Sequence, residues 1–136
     1  MPLQYMLDTN ICIYVIKNYP TGLRDRFNRL ADELCISTLT LGELQFGAEK
    51  SARRAQNIEG IARFIARLDV LPFSAAAAVH YGQLRAELQR AGRPAGPLDM
   101  LIGAHARSEG MILVTNNLRE FVHMPGVRVE NWVDEP

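Results

Sequence analysis

The sequence has few cysteines, no long hydrophobic run and no excess of either charge. Two cysteines occur among 136 residues, and their spacing matches neither a disulfide framework nor a zinc site. No apolar stretch approaches the roughly 18 residues of a membrane-spanning helix, and no basic start leads into an apolar segment with a cleavage site. These absences predict a soluble cytoplasmic protein in a reducing compartment, with no membrane partner.

The charge balance neither favours nor excludes nucleic acid as a partner, since fifteen basic residues face fifteen acidic ones. Lys17 and Lys50 are the only lysines, and the other basic residues are arginines, which suit bidentate phosphate contacts. The histidines have no ligand spacing, so we assign no catalytic role to His80, His105 or His123.

What the chain does contain is an alternation of strand-length apolar runs with helical patterns. The predicted strands are residues 3–7, 34–37, 70–73, 111–115 and 127–129. A helix is predicted over residues 56–68 from apolar side chains spaced i, i+3, i+4, i+7. Another begins near Ser74 and ends before Gly92, with Val79, Leu84 and Leu88 on or near its inner face.

Strands separated by helices predict right-handed crossovers and a sheet covered on both faces. Hydrophobic residues make up 48% of the chain, and no linker or repeat divides it, so residues 1–136 are expected to form one domain. The predicted fold is α/β, a three-layer α/β/α sandwich with a central, mainly parallel sheet. Ligands of such sheets bind beyond the carboxyl ends of the strands, so polar residues there are candidate site residues.

Asp8 stands at the first such position, in "YMLDTNICIY", between two apolar runs. Asp8, Thr9 and Asn10 are all good helix N-caps, and an ordinary strand-to-helix turn would have this sequence. Since Thr9 or Asn10 can cap the helix alone, Asp8 would then be an additional carboxylate at the end of the strand.

Glu43 and Asp99 are the next two acidic candidates. Glu43 lies in a helix expected to start after Thr38 or Thr40, where it either joins a site or complements the helix dipole. Asp99 is the only formal charge in "PAGPLDMLIGAHA", and its helical neighbours are small or apolar. Pro97 allows the dipole explanation for Asp99 as well, but the lack of a basic partner favours a functional role.

The fourth locus is "ILVTNNLREF", which places Thr115, Asn117 and Glu120 after a strand. The alternative is a capping box, with Asn116 or Asn117 as the cap and Glu120 pointing back. Taken together, several carboxylates without a histidine or cysteine cluster suit a hard cation, Mg²⁺ or Mn²⁺.

Five segments, in order, resemble one known family: "MLDTN", "GELQFGAEKS", "GPLDMLIGAHA", "LVTNNLREF" and the trailing "PGVRVENW". They are similar to the VapC toxins of the PIN-domain ribonucleases over nearly the whole chain. The resemblance implies a PIN-like domain over residues 1–136 that cleaves RNA endonucleolytically with a metal ion. It implies products with 5′-phosphate and 3′-hydroxyl ends.

The resemblance also implies a set of site residues. The core acidic positions of the family correspond to Asp8, Glu43 and Asp99. Asn117 stands where many relatives have a further aspartate, and Glu120 matches a frequently acidic position that could compensate. The supporting polar positions correspond to Thr9, Asn10 and Thr115. In the mechanism we hypothesise, Asp8 and Asp99 hold Mg²⁺ or Mn²⁺ directly, and Glu43 stands close by or acts through water.

Partners follow from the same resemblance. The RNA substrate is expected to be a tRNA, with the anticodon stem-loop of initiator tRNA favoured. A VapB-type antitoxin is expected to neutralise the toxin, within homodimers and toxin–antitoxin hetero-oligomers. Two basic clusters could track a phosphate backbone or form a solvated face: Lys50, Arg53 and Arg54, which we favour, and Arg24, Arg26 and Arg29.

Three other classes of protein share parts of this pattern. A receiver module would need a phospho-accepting aspartate after its third strand and a lysine after its last, and neither is present. A phosphatase with an aspartyl nucleophile would need a second aspartate where Asn10 stands. A non-catalytic PIN-like module that binds RNA or protein remains an alternative, because Asn117 is not acidic.

Overall fold

The structure, a computed structural model, describes residues 2–19 and 21–133. Within these residues a five-stranded sheet has the order β3-β2-β1-β4-β5, and every neighbouring pair is parallel. The strands are β1 (Tyr5–Leu7), β2 (Leu34–Ser37), β3 (Asp69–Leu71), β4 (Ile112–Val114) and β5 (Arg128–Glu130). The predicted α/β/α sandwich with a parallel central sheet is confirmed.

Helices cover both faces of this sheet. They are α1 (Thr9–Lys17), α2 (Leu23–Leu30), α3 (Thr38–Glu49), α4 (Arg54–Ile65), α5 (Ala75–Arg90), α6 (Pro97–Ser108) and α7 (Leu118–Phe121). One core packs α1 to α4 against one face, and a second core packs α5 to α7 against the other. No described helix is long and apolar enough to cross a bilayer.

The central strands read as uninterrupted apolar runs because both of their faces are buried. In β1, Met6 joins the core under α5 and α6, whereas Leu7 joins the core under α1 to α4. Alternate side chains of a strand point to opposite faces, and both faces here are covered by helices. Polar residues therefore collect where the strands end.

Several boundaries differ from the sequence-based prediction. β3 ends at Leu71 and not at residue 73, and Pro72 cannot donate to a strand ladder. The helix predicted over residues 56–68 is α4, which begins at Arg54 and ends at Ile65. The placement of Val79 on the inner face of α5 is wrong, since 60% of it is exposed. Leu84 and Leu88 are buried as predicted, and Val79 lies about 140° around the helix from Leu84.

Gly103 explains why the face of α6 that carries Asp99 is made of small residues. A β-carbon at Gly103 would lie 2.7 Å from the Met124 sulfur and 3.7 Å from Cδ1 of Phe121. Because Gly103 has no side chain, Phe121 of α7 and Met124 in the turn after it can pack directly against α6. The arrangement therefore brings Glu120, on α7, towards the helix that carries Asp99.

We expect Gly103→Val to lower the free energy of unfolding by about 1–3 kcal/mol, because the added carbons overpack this contact. Urea denaturation measures the change. Gly82→Val is the matched control, since a β-carbon at Gly82 in α5 meets nothing within 4 Å. Equal stability changes for the two variants would contradict the proposed close packing of α7.

Candidate functional site

The carboxyl ends of β1, β4 and β5 form one row of backbone. Leu7 is paired with Val114, and Val114 with Glu130, so Asp8, Thr115 and Asn131 follow next to one another. The Asp8 N–H donates to the Val114 carbonyl at 3.0 Å, and the Thr115 N–H donates to the Glu130 carbonyl at 3.0 Å. The sheet ladder thus fixes the backbone from which the candidate side chains extend.

Asp8 is itself the N-cap of α1. Its Oδ1 accepts a hydrogen bond from the Ile11 N–H at 2.9 Å, and only 6% of the residue is exposed. Of the three possible caps, the structure therefore uses Asp8, and neither Thr9 nor Asn10 is needed to cap the helix. Burial raises the pKa of Asp8, and bonds from the Thr115 hydroxyl and the N–H groups of Ile11 and Asn10 oppose that rise.

Thr115 connects this carboxylate to the neighbouring strand end. It is fully buried, and its side-chain oxygen also accepts a hydrogen bond from the Asn117 N–H at 2.9 Å. The capping-box alternative is not what the structure shows, because the Asn117 side chain makes no cap bond to α7. The hydroxyl therefore bridges Asp8 and the start of α7, and the Asn117 carboxamide is not used there.

Asp99 is half-buried in the first turn of α6, after Pro97. Its pKa is raised, first by burial and then by the negative charges of Glu120 and Asp8. None of the ion pairs formed by the described residues includes Asp8, Asp99 or Glu120. The charges of Asp8, at the start of α1, and Glu120, on α7, therefore act on Asp99, and none of the three carboxylates has an ion-pair partner among the described residues.

Glu43 is placed differently from these three acids. It is exposed on α3 and lines a groove of about 460 Å³ bordered by α1, α3 and α4. It is not among the charges that raise the pKa of Asp99. Of the four predicted acidic loci, the structure therefore relates Asp8, Asp99 and Glu120, and it leaves Glu43 at a groove whose lining includes none of these three.

The remaining supporting residues surround Asp8. The Thr9 hydroxyl oxygen is buried and has no hydrogen-bond partner in the structure. The Asn10 backbone N–H donates to Asp8, whereas the Asn10 side chain is exposed. An unpartnered buried hydroxyl is costly and is expected to pair with a ligand or a water.

The donor set was tested against a divalent cation. Within residues 2–19 and 21–133, no three or more histidine, cysteine, aspartate or glutamate side chains are grouped closely enough to hold a metal ion by themselves. Mg²⁺ normally keeps several waters and takes only one or two carboxylates directly. Asp8 and Asp99, with hydroxyl oxygens nearby, fit such a hydrated hard cation.

The predicted basic clusters have mixed surroundings. Lys50 lies 4.9 Å from the centre of the Phe46 ring, and Arg54 pairs with Glu49. Arg53 is exposed, as are Lys50 and Arg54, so a role of this cluster in RNA binding stays a prediction. Arg24 is used structurally, because it donates to the Val15 and Ile16 carbonyls at the end of α1.

A polar cavity that the sequence did not reveal adjoins the acidic site. It is lined by Asn116, Asn117, Leu118, Arg119 and Asn131. Of these, only Asn117 was a candidate from sequence. The one sequence signal for Asn131 is its position directly after the fifth strand. Asn116 and Arg119 carry no signal of their own, because such residues are common in turns that precede a helix.

The fold and the site define an α/β protein with a set of carboxylates near the carboxyl ends of the strands of a parallel sheet. The family model described as "PIN domain" matches residues 5–127. The "tRNA(fMet)-specific endonuclease VapC" of Shigella flexneri is 55% identical over 130 residues, covering 96% of this chain and 98% of that protein. The "Ribonuclease VapC2" of Haemophilus influenzae is 50% identical over 131 residues, covering 96% of this chain and 99% of that protein. The chain therefore belongs to the PIN-domain family, among its VapC ribonucleases, as the resemblance predicted.

Solved structures agree with this assignment. The DNA-bound VapBC complex of Salmonella typhimurium contains a chain with a TM-score of 0.92 and 52% identity, over 96% of this chain and 99% of that one. VapBC2 of Rickettsia felis, bound to a promoter DNA fragment, contains a chain with a TM-score of 0.90 and 41% identity, over 98% of this chain and 100% of that one.

Proposed function

We propose that this protein is a metal-dependent endoribonuclease toxin that cleaves tRNA, with initiator tRNA as its substrate. The observation that carries the activity is a set of three carboxylates without a described ion-pair partner near the carboxyl ends of the strands: Asp8, Asp99 and Glu120. The substrate is proposed from the 55% identical relative in Shigella flexneri, which is named for its specificity for tRNA(fMet).

In this proposal Asp8 and Asp99 hold Mg²⁺ or Mn²⁺. The cation, when bound, would orient and acidify a water for in-line attack and balance charge in the transition state. Asp8 is held in place by the Ile11 N–H and the Thr115 hydroxyl, so its carboxylate does not have to be ordered when a ligand arrives.

Glu120, and not Asn117, completes the acidic set in this proposal. The charge of Glu120 acts on Asp99, whereas Asn117 is neutral. Glu43, which lines the groove bordered by α1, α3 and α4, would act through water. This arrangement supports cleavage over the non-catalytic PIN-like module, because Glu120 supplies the negative charge that Asn117 lacks.

The test uses purified protein, an initiator tRNA transcript and an elongator methionine tRNA. We expect cleavage of the initiator tRNA alone, with Mg²⁺ or Mn²⁺, leaving 5′-phosphate ends. Asp99→Asn should lower the cleavage rate by about 10²- to 10³-fold, as expected for a lost electrostatic contact in the transition state.

EDTA is the control for the metal, and RNA binding by filter retention is the control for folding. Equal cleavage with EDTA, or by Asp99→Asn, would refute the assigned roles. RNA binding without any cleavage by the unaltered protein would favour the binding module.

A VapB-type antitoxin is the proposed protein partner, since the similar Salmonella and Rickettsia chains were solved as VapBC complexes. The groove beside Glu43 is the proposed place for an antitoxin tail, which could present an arginine to the acidic site. Homodimers and toxin–antitoxin hetero-oligomers are the expected assemblies.

A further inference from the structure

The cavity at the ends of β4 and β5 differs in charge from the acidic site beside it. Its volume is about 320 Å³, and its lining contains asparagines and Arg119 but no carboxylate. Thr115 connects the two regions, because its hydroxyl bonds to Asp8 and accepts the N–H of the lining residue Asn117. A ligand seated in the cavity would therefore lie next to the carboxylates.

The hydrogen-bonding groups of this cavity are only partly used by the protein. Asn131 accepts the Val133 N–H at 2.9 Å through Oδ1, which leaves its amino group without a described partner. The Asn117 carboxamide makes no cap bond, and no described ion pair includes Arg119. The lining therefore presents spare donors and acceptors.

Asn116 gives the most direct sign of a missing partner. Its amino group donates to the Tyr14 hydroxyl at 3.0 Å, while its buried carbonyl oxygen has no hydrogen-bond partner. The Tyr14 hydroxyl can donate or accept, so the opposite orientation of the amide would only leave the amino group unpaired. One polar atom of Asn116 lacks a protein partner in either case.

We propose that this cavity binds one nucleotide of the RNA substrate next to the scissile phosphodiester, and this rests on the proposed function. Arg119 holds the phosphate of that nucleotide, because a guanidinium matches a phosphate with two parallel hydrogen bonds. The Asn117 carboxamide contacts the base edge with a donor and an acceptor side by side, and the amino group of Asn131, which has no described partner, adds a donor. Unstacked bases of a tRNA loop expose these edges to a protein.

The phosphate contact is tested by RNA binding in the cleavage-deficient Asp8→Asn background. A fluorescent anticodon stem-loop RNA is titrated at several salt concentrations. Arg119→Ala should weaken binding about tenfold, as expected for a lost contact with a charged group. It should also reduce the slope of log K against log salt by about 0.7, the value for one phosphate of a single strand.

Arg128→Ala is the matched control. Arg128 is an exposed arginine at the amino-terminal end of β5, the end of the strand opposite to the cavity, where it donates to the Gly110 carbonyl. The same positive charge is lost, so a nonspecific effect of net charge would change both variants equally. Equal slopes for Arg119→Ala and Arg128→Ala would overturn the phosphate contact.

The base contact is tested by Asn131→Asp in the active protein. The aspartate keeps the acceptor for the Val133 N–H but replaces the donor with a second acceptor. We expect the preferred nucleotide beside the cut to change when a stem-loop library randomised there is cleaved, and KM for the original sequence to rise more than kcat falls. If Asn131→Asp fails to fold, the same library is cleaved by Asn117→Ala, which removes the other carboxamide without adding a carboxylate to the acidic site.

The outcomes separate the two proposals. If the unaltered protein cleaves RNA but the cavity variants keep its affinity, salt slope and sequence preference, the cavity proposal is wrong and the nuclease stands. If the unaltered protein neither binds nor cleaves RNA, the proposed function fails, and the cavity proposal fails with it.

Discussion

Replacing Asp8 with asparagine should abolish RNA cleavage and at the same time make the protein more resistant to heat. Asparagine is as good an N-cap as aspartate, so Oδ1 can still accept the Ile11 N–H. The negative charge is lost, and with it the proposed hold on the cation. We expect the cleavage rate to fall by about 10²- to 10³-fold.

The gain in stability follows from the raised pKa of Asp8. A carboxyl group whose pKa is higher in the folded state than the ordinary 3.8 favours folding at acidic pH, and that contribution is lost as pH rises through the folded pKa. At neutral pH the buried charge therefore destabilises the metal-free protein. Asparagine removes this cost, so Tm at pH 7.5 should rise.

The pH dependence makes this prediction specific. The Tm difference between Asp8→Asn and the unaltered protein should shrink towards zero as pH falls below the ordinary pKa of 3.8, because the carboxyl group is then protonated in both the folded and the unfolded state. Differential scanning fluorimetry in the presence of EDTA measures the Tm of both proteins at each pH. Asp8→Ala is the control: it loses both the charge and the cap, and the lost cap costs about 1 kcal/mol. A Tm difference that is independent of pH would contradict this explanation.

Adding Mn²⁺ should stabilise the unaltered protein strongly at neutral pH. A ligand that binds only the folded state at 100 times its Kd contributes about 2.7 kcal/mol, which is roughly 10 °C in Tm for a domain of this size. The effect is expected to be large here because the cation offsets both the burial and the repulsion from Glu120 and Asp8 that raise the pKa of Asp99.

Acid should remove this stabilisation, since protonated carboxyl groups bind the cation weakly. Asp99→Asn and Asp8→Asn should each abolish most of the Tm shift. Glu59→Gln should leave the shift unchanged, because Glu59 is an exposed residue of α4 that pairs with Arg63. Equal shifts for Asp99→Asn and Glu59→Gln would show that Mn²⁺ binds elsewhere.

The parallel sandwich could be predicted because its central strands carry apolar side chains on both faces, a pattern that only a doubly covered sheet requires. Asp99 could be selected for a related reason. A single charge among small and apolar neighbours has few structural explanations, and the structure places that charge beside two others.

The sequence could not show that Asp8 both caps α1 and belongs to the acidic set, because aspartate, threonine and asparagine are nearly equivalent as caps. Only the pairing of β1 with β4 decides which of the three faces Thr115. The cavity beside the site was missed for the same reason. Asn116 and Asn131 are distant in sequence, and the β4–β5 pairing brings them together.

The cap at Asp8 has a genetic consequence. Aspartate and asparagine codons differ by a single base, so we expect one point mutation at Asp8 to silence the proposed toxin without unfolding it. Such an allele would encode a stable, inactive protein whose surface is unchanged. This protein could still bind the neutralising partner and so compete with an active copy for it. A cell carrying both alleles would then need more of that partner to survive.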